Sequence, residues 1–313
     1  MDAKTTAFLF PGQGSQFVGM GLSLAQIYEK ARQAFAQADA WIDFPLSKTA
    51  WEGPEESLND TINTQPALLV HSIAAYEVFN DKFLGFRPAF VAGHSMGELS
   101  ALVASGTLAF KDAFSLVCRR GELMKSSGEI SPGGMAAVLG MGVAELELVC
   151  SDASQGEEIV QVANDNCPGQ VVISGSSQAL ERAMQLAQER GARRVRRLAV
   201  SIAAHSPLME PAQEDFNQAV NQAPFVEPLI PLVGNVTARP LPTLDAIRAD
   251  LQLQLTSRVR WTESIQMMAA SGVTTFIEIG SGNVLTGLLK RILPEAKGYA
   301  VGSPEDFDQL PQL

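Results

Sequence analysis

The chain of 313 residues is 46% hydrophobic and 18% charged, with a formal net charge of −11. That composition describes a globular protein with a sizeable core, either one large domain or a domain carrying a smaller one, and the acidic balance argues against non-specific nucleic-acid binding. Cys118, Cys150 and Cys167 lie far apart and match no zinc or C-x-x-C spacing, no run is long and apolar enough to span a bilayer, and the start lacks a signal peptide's basic and apolar segments, so reduced core thiols in a cytoplasmic protein are expected.

Residues 5–10 read as a buried strand that ends in the loop Pro11-Gly12-Gln13-Gly14-Ser15-Gln16. The loop lacks the Gly-Lys-Ser/Thr of a P-loop, and Phe17 replaces the third glycine of G-x-G-x-x-G. It is either a plain tight turn or a supplier of a backbone N–H to a nearby site. Helical periodicity follows at 22–42. An apolar helix at 66–79 carries Pro66 near its first turn and His71, read as a core histidine.

The apolar run Phe90-Val91-Ala92 leads into Gly93-His94-Ser95-Met96-Gly97 and then into the helix-like Glu98–Ala104. Strand, G-x-S-x-G and helix together form the context of a nucleophile elbow. Such a turn projects a serine hydroxyl into a cleft, and the helix N-terminus offers free N–H groups to a developing oxyanion. Ser95 is the candidate nucleophile. A helix at about 111–127 then separates two adjacent arginines. Arg119 falls on the polar face and Arg120 on the apolar one. A buried guanidinium needs an anionic partner, supplied by the protein or by a carboxylated substrate, which arginine's planar fork would suit.

From residue 131 the pattern becomes strand (135–141), helix (143–151), strand (159–165), strand (170–174), helix (177–190) and strand (193–201). This β-α-β-β-α-β order is the ferredoxin-like unit. The expected architecture is α/β: an α/β-hydrolase-like core with a parallel sheet, from 1–130 and 206–313, and an inserted ferredoxin-like domain at 131–205. The last small-domain strand carries Arg190, Arg193, Arg194, Arg196 and Arg197, either a solvated edge strand or a docking surface for an acidic partner or phosphates. His205 follows where the chain re-enters the larger domain and is the most available general base. The remainder reads as a helix (206–222), a strand (229–234), a polar turn at Asn235, helices near 243–256 and at 261–271, a strand at 274–279 and a last helix. The acidic, proline-punctuated tail from Ser303 is expected to be weakly ordered.

Taken together, Phe10–Gln16, Thr64-Gln65-Pro66-Ala67, Gly93–Glu98, Arg120-Gly121, Asn166-Cys167-Pro168-Gly169-Gln170, His205–Met209 and Glu278-Ile279-Gly280 resemble the malonyl-CoA:acyl carrier protein transacylases of fatty acid synthesis. The resemblance runs from residue 7 to about 293. It implies that Ser95 is acylated, that His205 is its base and that Arg120 binds the malonyl carboxylate. It further implies an oxyanion hole from the N–H groups of Gln13 and Met96, a Gln254 main-chain carbonyl that orients the histidine, and supporting places for Asn166 and Gln65. The implied reaction is ping-pong, uses malonyl-CoA and acyl carrier protein, and needs no metal or other cofactor. The implied enzyme is a monomer. Two departures stand out: Arg258, where many relatives have proline, and the small pair Ala203-Ala204 before His205, which could leave a roomier acyl pocket. An acyl hydrolase, a trans-acting polyketide acyltransferase and a non-catalytic carrier-binding module are the competing readings.

Overall fold

Alternate residues of one strand feed two separate hydrophobic cores, and the fold is laid out around that strand. The computed structural model describes residues 2–311. Its strands are β1 (Thr6–Phe10), β2 (Phe90–Gly93), β3 (Gly133–Leu139), β4 (Val160–Cys167), β5 (Gln170–Ser176), β6 (Arg194–Arg197), β7 (Leu232–Val233), β8 (Thr275–Ile279) and β9 (Lys297–Val301). The first sheet has the order β7-β2-β1-β8-β9, and all its pairings are parallel. β1 is central and wholly buried, as its unbroken apolar run requires of a parallel strand covered on both faces. Phe8 and Phe10 point to one side, where Phe8 meets Phe79 of the Thr61–Lys82 helix with ring centroids 4.9 Å apart. Ala7 and Leu9 point to the other side, into a cluster with Trp261, Ile265 and Phe276.

The second sheet is antiparallel with the order β4-β5-β3-β6, the strand arrangement of a ferredoxin-like unit. All four strands come from residues 133–197. Ile173 and Val171 face the Val143–Ala153 and Ser177–Glu189 helices through Leu146 and Leu180. Val172, on the opposite face, belongs to the large core with Met135 and Ala163. Backbone bonds tie this sheet to the loop beyond residue 254: Val259 N–H donates to Ala163 O at 2.8 Å, and Asp165 N–H to Val259 O at 2.9 Å.

Several expected elements differ. The helix at 22–42 is two, Leu22–Ile27 and Glu29–Trp41, broken where Tyr28 is extended. The helix expected from residue 66 starts at Thr61, because Asp60 caps it by accepting the Ile62 N–H, so Pro66 lies inside it. The strand at 229–234 shortens to Leu232–Val233. Just before the tail, β9 adds to the sheet beside β8. The tail from Ser303, expected to be weakly ordered, instead carries a 3-10 helix at Pro304–Gln309 whose Phe307 is buried against Tyr28. An acidic, proline-marked composition hid one well-placed aromatic residue there. Residues 312 and 313 lie outside the described range.

Candidate active site

The elbow between β2 and the Gly97–Ala104 helix leaves no room for side chains at its two glycines. A Cβ on Gly93 would lie 2.0 Å from the Gly97 carbonyl, and one on Gly97 would lie 2.3 Å from Phe10 O. The intervening Ser95 has φ 51, a left-handed conformation that a side chain adopts at a cost. Among the described residues, the non-glycine positions with positive φ are Ser95, His205 and Ala238. Two of the three are thus the candidate nucleophile and base. Asn235 helps to hold the turn: its Oδ1 accepts the Ser95 N–H at 2.9 Å, and its Nδ2 donates to Gly93 O at 2.8 Å.

The hydrogen bonds of His205 determine its tautomer. Nδ1 faces two main-chain carbonyls, Gln254 O at 2.8 Å and Ser257 O at 3.1 Å. Carbonyl oxygens only accept, so Nδ1 carries the proton. Burial, followed by the positive charge of Arg120, pulls the imidazole pKa down to about 3. The neutral ring therefore presents a lone pair at Nε2, and Ser95 Oγ donates to it at 2.8 Å. The backbone of His205 is fixed as well: its N–H donates to Leu255 O at 2.9 Å, and its carbonyl accepts from Gln161 Nε2 at 2.7 Å.

Arg119 and Arg120 have different surroundings. Arg119 is exposed and paired with Asp215 at 2.7 Å. Arg120 is 1% exposed. Its Nη1 donates to Gln65 Oε1 at 2.8 Å and to Met124 Sδ at 3.1 Å. Its Nη2 donates to Gln254 Oε1 at 2.9 Å and to Ser95 Oγ at 3.1 Å. Every direct contact is neutral, and the buried Nε–H has no partner among the described residues. Burial lowers the guanidinium pKa to about 10, opposed by the charge of Glu98, so the group remains a cation at neutral pH. A buried cation with an unfilled donor is suited to taking an anionic ligand.

Gln13 lies at the surface, with Oε1 accepting from Thr61 Oγ1 at 3.2 Å. The main-chain N–H groups of Gln13 and Met96 meet no acceptor among the described residues. Asn166 makes no hydrogen bond to Ser95 or His205 among the described residues. Its Oδ1 accepts from His94 Nε2 at 2.8 Å, and that ring packs edge-on against Trp261. Gln65 and Gln254 both meet Arg120, and Gln254 additionally reaches the histidine through its carbonyl. The sequence reading passed over Glu98, Asn235, Gln161 and the carbonyl of Ser257. Glu98 and Asn235 were visible only as a motif's last letter and a polar turn. No cluster of three or more metal-ligating side chains exists among the described residues.

The fold and this arrangement define a class: α/β proteins with a strained serine at a strand–helix elbow, bonded to a histidine and faced by a buried arginine. Residues 7–302 match the acyl transferase domain family. A malonyl CoA-acyl carrier protein transacylase of Bacillus subtilis strain 168 is 45% identical over 302 residues, covering 96% of this chain and 95% of that protein. Its namesake in Escherichia coli K12 is 42% identical, covering 95% of this chain and 96% of that protein. The solved acyl carrier protein S-malonyltransferase of Vibrio cholerae superposes with a TM-score of 0.95 at 42% identity, covering 98% of this chain and all of that one. A type II polyketide acyl-carrier protein in complex with its malonyl-transacylase gives a TM-score of 0.94 at 40% identity, covering 98% of this chain and 98% of that one. The chain belongs to the malonyl-CoA:acyl carrier protein transacylase branch of the acyl transferase domain family.

Proposed function

We propose that this enzyme transfers a malonyl group from malonyl-CoA to the phosphopantetheine thiol of acyl carrier protein, through a malonyl ester of Ser95. The observation that carries the reading is the placement of Ser95 Oγ between His205 Nε2 at 2.8 Å and Arg120 Nη2 at 3.1 Å. As Oγ attacks the thioester carbonyl, its proton passes to Nε2, and the new C–O bond creates an oxyanion. The unpartnered N–H groups of Gln13 and Met96 receive that charge. The C–S bond then breaks, and the thiolate leaves with the proton from His205. In the second half, the carrier thiol gives its proton to His205 and attacks the ester, returning Ser95 to its free form.

Acylation also changes the surroundings of Arg120. Ester formation turns Ser95 Oγ into a poor acceptor and releases the Nη2–H that faced it. That N–H and the free Nε–H offer two donors to the malonyl carboxylate. Gln65 holds Nη1, and Gln254 shares Nη2. Residues 131–205 act as an inserted domain that buttresses His205 through Gln161. The chain works as a cytoplasmic monomer without metal or redox cofactor.

Intact mass spectrometry tests the reading. Mixing with malonyl-CoA is expected to add one malonyl group, which carrier protein then removes. Ser95→Ala is expected to stay unlabelled. Labelling of that variant at the wild-type rate refutes the assignment.

A further inference from the structure

We infer that Glu98 is a positioning residue that aligns nucleophile, base and arginine at once by fixing the orientation of two buried amides. The inference rests on the roles just proposed for Ser95, His205 and Arg120. Glu98 lies in the first turn of the elbow helix and is 0% exposed. Its Oε2 accepts from Asn235 Nδ2 at 2.5 Å and from Gln254 Nε2 at 2.6 Å. The far end of the Asn235 amide accepts the Ser95 N–H at 2.9 Å. The far end of the Gln254 amide accepts from Arg120 Nη2 at 2.9 Å, while the Gln254 main chain accepts from His205 Nδ1 at 2.8 Å. One carboxyl therefore reaches all three groups through two side chains.

A primary amide presents an acceptor at one corner and donors at the other, and the two exchange when it flips. A flipped Asn235 would set its NH2 against the Ser95 N–H, and a flipped Gln254 would set its NH2 against a guanidinium. An acceptor at Glu98 Oε2 disfavours both flips, with Gly93 O and Ser95 O reinforcing it on the same side. The arrangement also keeps the carboxyl one amide away from Arg120. A direct Glu98–Arg120 pair would fill the fork that the substrate needs.

The second oxygen, Oε1, meets no N–H or O–H donor among the described residues. The groups around Glu98 are Asn235, Gln254 and Asp250, with the Arg120 charge beyond Gln254. Burial pushes the Asp250 carboxyl up, opposed by three hydrogen bonds that it accepts from Val236 N, Thr237 N and Thr237 Oγ1. Burial and, next, this neighbouring carboxylate push the Glu98 carboxyl well above its usual range. A neutral carboxyl retains a carbonyl oxygen for the two amides and can donate its hydroxyl to the neighbouring Asp250 carboxyl. Glutamine reproduces that pattern, whereas methionine keeps the shape and removes the acceptor.

The test measures single-turnover acylation per folded molecule by intact mass, with malonyl-CoA and acetyl-CoA in competition, alongside thermal melting. Glu98→Gln is expected to stay within about threefold of wild type in rate and in malonyl preference. Glu98→Met is expected to lose ~100-fold in malonyl acylation, because two buried N–H donors lose their acceptor, and to lose malonyl preference as Gln254 drifts from Arg120. If Glu98→Met does not fold, Glu98→Asp replaces it: withdrawing the acceptor by one methylene is expected to slow acylation ~10-fold, with the same fall in preference. Unchanged rate and preference in a folded Met or Asp variant, whatever its melting temperature, overturns the inference, as does a Gln variant as slow as Met. Failure of the underlying reading is distinguished by a wild-type control that is not labelled on Ser95.

Discussion

Replacing Arg120 by alanine is the sharpest test of substrate choice. In wild type the guanidinium is buried, is held by Gln65 at Nη1 and Gln254 at Nη2, and has an unfilled Nε–H. A malonyl carboxylate gains two charge-assisted hydrogen bonds, each worth about 1.5–3 kcal/mol, less the cost of its own desolvation. A net of about 2–4 kcal/mol corresponds to roughly 30- to 1000-fold in acylation rate. Acetyl has no carboxylate and forfeits none of this. Arg120→Ala is therefore expected to lose malonyl transfer by that factor while keeping or gaining acetyl transfer. Arg120→Lys is expected to recover part, since an ammonium cannot serve two carboxylate oxygens and two glutamines in one plane. Arg119→Ala is expected to match wild type, because its surface pair with Asp215 contributes little. The assay sets malonyl-CoA against acetyl-CoA and resolves the two acyl-enzymes by mass. An Arg120→Ala enzyme with undiminished malonyl preference refutes the reasoning, as does loss of preference in Arg119→Ala.

Three further outcomes are expected. His205→Ala should slow acylation nearly as far as Ser95→Ala, and the double variant should be scarcely worse, because nucleophile and base act as a unit; additive losses in single-turnover rates would contradict this. Arg193, Arg194, Arg196 and Arg197 form no ion pair among the described residues and border the sheet edge at β6, so reversing several of them should slow transfer to an acidic carrier by ~10-fold at low salt while sparing free pantetheine; equal loss with both acceptors would make the cluster structural. Burial lowers the His71 pKa from 6.5 to about 4, so between those values the unfolded chain binds a proton that the folded chain refuses, and stability falls on acidification. Relative to His71→Gln, wild type should lose about 2 kcal/mol between pH 7.5 and pH 5 in urea midpoints; the difference isolates His71 from buried carboxyls such as Glu98, whose raised pKa acts in the opposite sense, and a pH-independent difference would refute the shift.

The elbow was legible because its constraints are local. Two glycines, an apolar strand before them and a helix after them lie within fifteen residues, and the crowding that demands glycine can be anticipated from that order. The two arginines were separable because helical spacing alone decides which face each takes. The small sheet was legible from alternating strand and helix patterns. What escaped was long-range or carried by the main chain. Glu98 and Asn235 meet across 137 positions of sequence, and neither residue type announces a partner. Ser257 acts through its carbonyl, which any residue would supply. Arg258 reaches Glu147 of the small sheet's helix at 2.7 Å, and the carbonyl of Gln254 meets the histidine. β9 was missed because only one of its five residues is buried, so its pattern resembles a surface loop.

Charge in this site is placed by distance rather than by pairing. Arg120 lies beside Ser95 Oγ, and its field helps to hold His205 neutral, which keeps Nε2 free to take a proton. The same field opposes the imidazolium that forms when the proton arrives. In the proposed reaction, a malonyl carboxylate bound at Arg120 cancels much of that opposition by neutralising the arginine. The acyl group that satisfies Arg120 thus also makes His205 a better base, whereas a neutral acyl group leaves the two cations facing each other. Glu98 cannot substitute for the substrate in this respect, because an amide separates it from the guanidinium and its own carboxyl is pushed toward the neutral form. On the proposed roles, selectivity and activation have one physical origin: a buried cation without an adjacent counterion, at hydrogen-bonding distance from Ser95 Oγ.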